Sequence, residues 1–518
     1  MLPSCHQSRM DPSFRWGDGE RMTETLLVID EGTTSTRSML FAADGACLGS
    51  EQKELIQHYP GPGLVEHKAE EIWQSSLACA RAMVSQAGGA DRVAAIGITN
   101  QRETIIFWSR RTGRALAPAI VWQDRRTAEL CERMKQDGHE DMVQSRTGLL
   151  LDPYFSASKI AWAMENWPEV REAGADLCVG TVESWLVFRL TGGLHVSDAT
   201  NASRTALMDI KKGCWDEELL ALWGVPRAAL PEIIDCAGAI GTTDPELLGG
   251  AIPIAGMAGD QQAASIGQAC LAPGNSKATF GTGAFILTNT GTEFRRSRHR
   301  LLSTIAWQLA GERTYAIEGS VFVAGSLIKW LRDDVGLLAS SSESEALARS
   351  VPDSGGVQVV PALAGLGAPH WRPGALGAIS GLSFSTGRAH IVRAALEAMA
   401  DQSHDLMTAF AADGARWKSL KIDGGMAAND WLAQDLADIL DLPVERPGFI
   451  ETTALGAAML AGVGCGLFGS LEEAAAMRGE VRMFEPAMDG ERRSLRLEGW
   501  RRAVESVLAA AEPSSSRT

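Results

Sequence analysis

Two short stretches of this chain share one outline. VIDEGTTSTRSMLF (28–41) and KATFGTGAFILTNT (277–290) each run from an apolar strand through a Gly-Thr turn into a second apolar strand. The turns, Gly32-Thr33 and Gly281-Thr282, stand about half of the 518-residue chain apart. A repeat at that spacing predicts two related domains, each built on the same strand–turn–strand unit. Other runs fit α/β layers with mixed sheets. LLVID (26–30), VAAIGIT (93–99) and AIVW (119–122) are short, apolar and bounded by polar residues, as strands are. Between the first two, residues 69–88 put Trp73, Leu77, Ala80 and Val84 on one helical face. A domain boundary is expected within IPIAGMAGDQQAASIGQ (252–268), and a ligand is expected in the cleft between the two domains.

Charge and composition narrow the partners. Lys and Arg total 48 against 64 Asp and Glu, a formal charge of −16 that repels phosphate backbones and anionic lipid. Nucleic acid and membrane insertion are therefore not expected, and an anionic substrate needs a locally basic pocket. The nine cysteines are dispersed, without a C-x-x-C or Cys/His cluster, and read as reduced thiols of a cytoplasmic protein rather than zinc ligands. Residues 1–21 have no apolar core and are read as a disordered extension, with Met22 as an alternative start; 512–518 read as a flexible tail. The uncharged run 452–471 has the length of a membrane span, but its five glycines favour a buried helix with a glycine-rich stop.

The hydroxyl-rich turn DEGTTST raises a chemical possibility. Gly32 permits close approach of backbone to a ligand, and Thr33, Thr34, Ser35 and Thr36 offer donors that can cradle phosphate oxygens. Asp30 ends the strand, where a hard cation carried by phosphates needs an oxygen ligand. The plain alternative is an ordinary hairpin rich in turn formers. A second turn, FGTG, strengthens the phosphate reading, because two such turns can grip one polyphosphate from both sides. A third element, LKIDGGMAANDW, runs from a strand into Gly424-Gly425 and then into a helix that Asn429 is suited to cap; the glycines let a flat base or ribose lie against the backbone. There is no Gly-Lys dipeptide, so the P-loop route to ATP is closed, and no H-R-D or D-F-G motif of protein kinases.

Three such motifs in this order are similar to the ATP-binding elements of the sugar-kinase, Hsp70 and actin superfamily. From Leu26 to about Val507 the chain resembles the FGGY carbohydrate kinases, and in particular the members that phosphorylate glycerol. The resemblance rests on ITNQRET (98–104), AIVWQDRRTAE (119–129), GLLLDPYFSASKIAW (148–162), NASRT (201–205), GMAGDQQAA (256–264), FGTGAF (280–285) and PALAGLGAPHW (361–371). The two family signatures fall at Tyr154-x-Ser156-x-x-Lys159-Ile160-x-Trp162 and from Gly377 through Gly381-Leu382 to Glu397.

The resemblance implies two actin-like (ribonuclease H-like) ATPase domains facing each other across a cleft, with 22–267 holding glycerol and the first phosphate loop and 268–511 holding ATP. It implies Asp260 as general base; Arg102 and Glu103 as a clamp on the remaining hydroxyls; Tyr154 and Gln261 as further hydrogen-bonding partners; and Trp122 and Phe285 as walls. On residue chemistry alone, Asp260 reads equally well as a helix N-cap, Arg102 and Glu103 as a surface pair, and either aromatic as core. Two consecutive strand residues can reach one ligand only at a strand end or bulge. For nucleotide, the resemblance implies Thr33, Thr34, Ser35 and Arg37 in the first loop, Thr282 in the second, Gly325 and Lys329 in the segment after it, and Gly425 and Asn429 at adenosine, with Asp30 meeting Mg2+ through water. It also implies a homo-oligomer, dimer or tetramer.

This chain departs from the family pattern at Glu31 and Lys329, where glutamine is usual, and at Arg372, where an acid is usual. A loop that carries arginine in relatives inhibited by fructose 1,6-bisphosphate here reads ELLGGAIPIAG, with Ala251. Glu31 and Lys329 suggest a compensating charge swap at the phosphates. The alternatives are an FGGY kinase of another polyol or sugar (a tetritol or pentulose), or an inactive ligand-sensing relative.

Overall fold

The structure is a computed structural model that describes residues 25–372 and 374–511. The extension 1–21 and the tail 512–518 lie outside the described residues.

Each half of the chain is organised on one sheet. In the first, Thr25–Glu31 pairs antiparallel with Ser35–Ala42, which pairs antiparallel with Cys47–Glu54. On its other side Thr25–Glu31 pairs parallel with Val93–Asn100, followed by parallel Pro253–Gly259 and an antiparallel edge, Ala237–Thr242. In the second, Asn275–Phe280 pairs antiparallel with Ala284–Gly291 and parallel with Ser419–Asp423; Val444–Pro447 follows in parallel, then the antiparallel edge Val481–Phe484. Ala284–Gly291 continues antiparallel into Glu312–Val321 and Leu302–Leu309. The repeat seen in two Gly-Thr turns is thus a repeat of whole sheets. In the first sheet that strand, TLLVIDE, is largely apolar because helices cover both of its faces, whereas its counterpart NSKATF is mostly polar although largely buried.

The amphipathic helix Ala69–Ala87 covers one face of the first sheet and buries Trp73, Leu77, Ala80 and Val84. The other face is covered by a helix from the far half, Thr452–Gly464. In return, Asp260–Gly267, which follows the last parallel strand of the first sheet, packs on the strands of the second. The two helices meet at glycines: a Cβ on Gly456 would overlap the carbonyl of Ala263, and one on Gly267 that of Thr452. One apolar cluster therefore joins the halves, with Leu26, Val28, Ile266, Leu287 and Leu455 in common. Among the described residues no helix is long and apolar enough to cross a membrane.

One strand is shorter than its sequence suggests. Of AIVW, only Ala119–Ile120 pairs, in a separate four-stranded sheet with Glu66–His67, Ile105–Ser109 and Leu177–Thr181. Val121 opens a turn closed by Asp124 N–H to its carbonyl, 3.0 Å, so Trp122 leaves the sheet half-buried.

Candidate active site

The parallel strand Val93–Asn100 stops just before Arg102 and Glu103. Thr104 N–H closes on the carbonyl of Arg102 at 2.8 Å, and Glu103 takes φ 62°, a left-handed conformation costing a non-glycine residue roughly 1–3 kcal/mol. Ser156 Oγ holds that turn by donating to the Glu103 carbonyl at 3.0 Å. The turn at the strand end is what lets both buried side chains enter one space.

There they meet a chain of alternating charge. Arg102 Nη1 and Nη2 reach Glu318 Oε2 and Oε1 at 2.6 and 3.2 Å, and its Nε stands 3.2 Å from Asp260 Oδ1. Arg204 donates from Nη2 to Glu318 Oε1 at 3.0 Å and from Nε to Glu103 Oε1 at 2.6 Å. Burial would push Glu318 up, but Arg102 and Arg204 hold its carboxyl down at about 2. Burial pushes Glu103 up against the pull of Arg204 and Arg102.

Asp260 follows Gly259, which is the N-cap, so the capping role is not its own; its Oδ1 accepts from Gln261 N–H at 2.7 Å. With 34% of its side chain accessible, Asp260 is the most open of these carboxylates. Burial raises its basicity, opposed by Arg102 and Lys277. Lys277 is fully buried and donates to Gln261 Oε1 and to Thr279 Oγ1, the latter at 2.9 Å. Burial lowers its ammonium, while Asp423 and Asp260 pull it back up.

Around this floor stand aromatic walls. Trp122 meets the Tyr154 ring edge-on at 5.6 Å and donates from Nε1 to Thr33 Oγ1 at 2.9 Å. Half-buried Phe285 lies opposite Thr279 and Ser320, so the pleat puts it on the sheet face that carries Lys277 and Glu318. The site residues expected around an acceptor thus converge.

The nucleotide set is brought together in two groups. In the first half, Gly32 N–H closes the hairpin on Ser35 O at 3.0 Å, Ser35 Oγ accepts from Gln52 at 2.9 Å, and Thr34 is exposed. Arg37 reaches across to Glu451 at 2.7 Å. Asp30 is pushed up to about 7 by burial, with Arg37 opposing and Asp260 and Glu451 adding to it. In the second half, Gly325 N–H bonds Gly281 O at 2.9 Å, and a Cβ on Gly325 would sit 2.5 Å from that oxygen and 3.1 Å from Met426 Cγ. The turn holding Thr282, the start of helix Gly325–Asp333 and the Gly424-Gly425 turn are therefore stacked in one place. Gly425 has open space above it, and Asn429 caps Asp430–Leu440 by accepting from Leu432 N–H at 3.0 Å. Among the described residues no three His, Cys, Asp or Glu side chains are grouped to hold a metal.

The charge swap inferred from Glu31 and Lys329 is corrected. Strand alternation turns Glu31 away from Asp30 and onto helix Ala69–Ala87, where it is fully buried and accepts from Ser76 Oγ at 2.6 Å. Burial pushes its carboxyl up to about 8, which favours the neutral acid at pH 7, and the side chain faces Ser76 rather than Lys329. Lys329 is exposed and has no ion pair among the described residues. Three buried charged residues of this site, Arg204, Lys277 and Glu318, were given no role by the sequence. Glu318 was signalled by an ion inside an apolar run, YAIEGSV, and Arg204 by its place in NASRT, whereas Lys277 stands at the head of KATF with no such signal.

Comparison with known proteins places the chain. The profile of the FGGY family of carbohydrate kinases, N-terminal domain, matches residues 25–267, and that of its C-terminal domain matches residues 276–465. The chain belongs to the FGGY family of carbohydrate kinases. This FGGY kinase is 53% identical to a glycerol kinase of Methylobacterium nodulans over 504 residues, 95% of this chain and 100% of that one. A glycerol kinase of Alcanivorax borkumensis is 54% identical over 488 residues, 93% and 98% of the two chains. The crystal structure of Plasmodium falciparum glycerol kinase with ADP superposes with a TM-score of 0.89 at 36% identity, covering 94% of this chain and 98% of that one. A gluconate kinase from Lactobacillus acidophilus superposes at 0.85 with 21% identity, over 95% and 99% of the chains. That last likeness shows the two-domain, actin-like fold alone; acceptor choice resides in the site.

Proposed function

We propose that this FGGY kinase transfers the γ-phosphoryl group of ATP to a terminal hydroxyl of glycerol, giving ADP and sn-glycerol 3-phosphate. The observation that carries the reading is that Asp260, at the start of its helix, meets the buried turn that carries Arg102 and Glu103. A guanidinium donates and a carboxylate accepts, which suits neighbouring hydroxyls better than a carboxylic acid. Relatives named glycerol kinases, more than half identical over nearly the whole chain, support it. Arg102 and Glu103 hold the hydroxyls that do not react, Tyr154 and Gln261 add hydrogen bonds, and Trp122 and Phe285 confine the carbon skeleton. Asp260 takes the proton of the terminal hydroxyl as its oxygen bonds the γ-phosphorus and the bond to the ADP oxygen breaks. Phosphoryl transfer asks mainly for positioning and charge stabilisation, so one such base suffices.

MgATP enters as substrate. Thr33, Thr34, Ser35 and Arg37 face its phosphates from one half and Thr282 from the other. Lys329 is the exposed cation on the helix that Gly325 begins, and Gly325, Gly425 and Asn429 border adenosine. Asp30 meets the cation through water, since Mg2+ keeps much of its hydration. In this reading 22–267 form the acceptor domain and 268–511 the nucleotide domain. The test is a panel of acceptors with ATP: glycerol, dihydroxyacetone, erythritol and xylulose. Glycerol should give the highest kcat/KM. Preference for erythritol or xylulose would replace the acceptor, and no transfer to any acceptor would point to a ligand-sensing relative.

A further inference from the structure

Glu318 and Arg204 are as buried as Arg102 and Glu103, and between them they contact both members of the clamp. One carboxylate serves two guanidiniums: Glu318 binds Arg102 through both oxygens and Arg204 through Oε1, while Arg204 goes on to Glu103. We propose that Glu318 and Arg204 are positioning residues for the acceptor clamp, fixing Arg102 and Glu103 so that each keeps a free face for a hydroxyl.

The chemistry gives each link a task. Glu103 has one oxygen engaged by Arg204, and its Oε2 takes no hydrogen bond from the described residues. Arg102 stands 3.2 Å from Asp260 and 3.9 Å from Glu103. Without Glu318, those two carboxylates are the nearest counter-ions left to it. Arg102 would then close on the base and on the hydroxyl acceptor, occupying both. Supporting groups of this kind set the geometry of the groups that touch a ligand. Glu318 lies on Glu312–Val321 in the sheet of the second half, whereas Arg102, Glu103 and Arg204 belong to the first. The clamp is therefore assembled from both halves of the chain.

The inference rests on the glycerol reading, and wild-type enzyme in the acceptor panel tests that reading separately. The variants are then compared on whichever acceptor the wild type prefers. Glu318→Gln should raise the acceptor KM, and the Kd measured by calorimetry without nucleotide, by roughly 10-fold or more, with KM for ATP changed less than about 2-fold. Glu318→Asp, which keeps the charge, should recover part of the loss. Acceptor affinity unchanged in folded Glu318→Gln, or KM for ATP rising by the same factor, would overturn the proposal. If Glu318→Gln does not fold, Arg204→Lys decides by the same split: it keeps the charge but loses the fork that joins Glu103 to Glu318.

Discussion

Asp260 and Glu31 are acids that burial makes more basic, yet their settings differ. Asp260 opens on the cleft beside Arg102, whereas Glu31 is sealed against Ser76. Asp260→Asn is expected to lower kcat by roughly 100-fold or more with little change in glycerol affinity, as loss of a general base does. Steady-state kinetics with calorimetric binding would check this, and near wild-type turnover would remove Asp260 from the chemistry. For Glu31 the consequence is one of stability. Its carboxyl is raised from 4.5 to about 8 in the folded protein, so between those values the folded state holds a proton that the unfolded state releases. Its favourable contribution is complete below the unfolded value and is lost as pH rises through the folded one. Glu31→Gln should thus hold its melting temperature from about pH 6 to about pH 9 better than wild type. Parallel curves for the two proteins would argue against a neutral Glu31. The same neutrality predicts that Glu31→Gln and Lys329→Gln act additively on kcat/KM for ATP, within about 0.5 kcal/mol in a double-mutant cycle.

The elements that matter most are the two exchanged helices. Asp260–Gly267 carries the proposed base at its first residue and packs on the second sheet, while Thr452–Gly464 packs on the first. Their closeness depends on the absence of a side chain at Gly456, where a Cβ would overlap the carbonyl of Ala263, a backbone atom that cannot swing aside. Gly456→Ala is therefore expected to destabilise the protein by roughly 1–3 kcal/mol, the usual cost of overpacking. An unchanged denaturation midpoint would mean that the crossing yields without strain. Because Asp260 rides on one of these helices, the variant should also lower kcat.

On the scale of the whole molecule, a net charge of −16 repels anions, so phosphates are held only where cations are concentrated. The loop after Pro245–Leu248 has none of its own: Gly249 turns at φ 75° and Ala251 is exposed. A nearby arginine, Arg81, spends its Nε on the carbonyl of Leu247 at 2.7 Å. Binding a bisphosphate takes several charge-assisted hydrogen bonds. Fructose 1,6-bisphosphate is accordingly expected not to inhibit this enzyme. Inhibition at millimolar concentrations that is non-competitive with ATP would show that another surface binds it.

Much of this architecture is local and was legible in the chain. The two Gly-Thr turns, the apolar strand before the first of them, the amphipathic helix at 69–87 and the Asn429 cap follow from short-range periodicity and from backbone and side-chain geometry within a few residues. The placement of Arg102 and Glu103 at a strand end follows from alternation, since two consecutive residues cannot otherwise share a ligand. Tertiary structure decided which face of each strand meets the cleft, and that sent Asp30 toward it and Glu31 into the interior. It also decided the partners of the clamp. Arg102 and Glu318 are 216 residues apart in the chain and meet only because one sheet docks on the other through the exchanged helices. A contact of that kind depends on register and docking summed over whole sheets, and no local pattern encodes it.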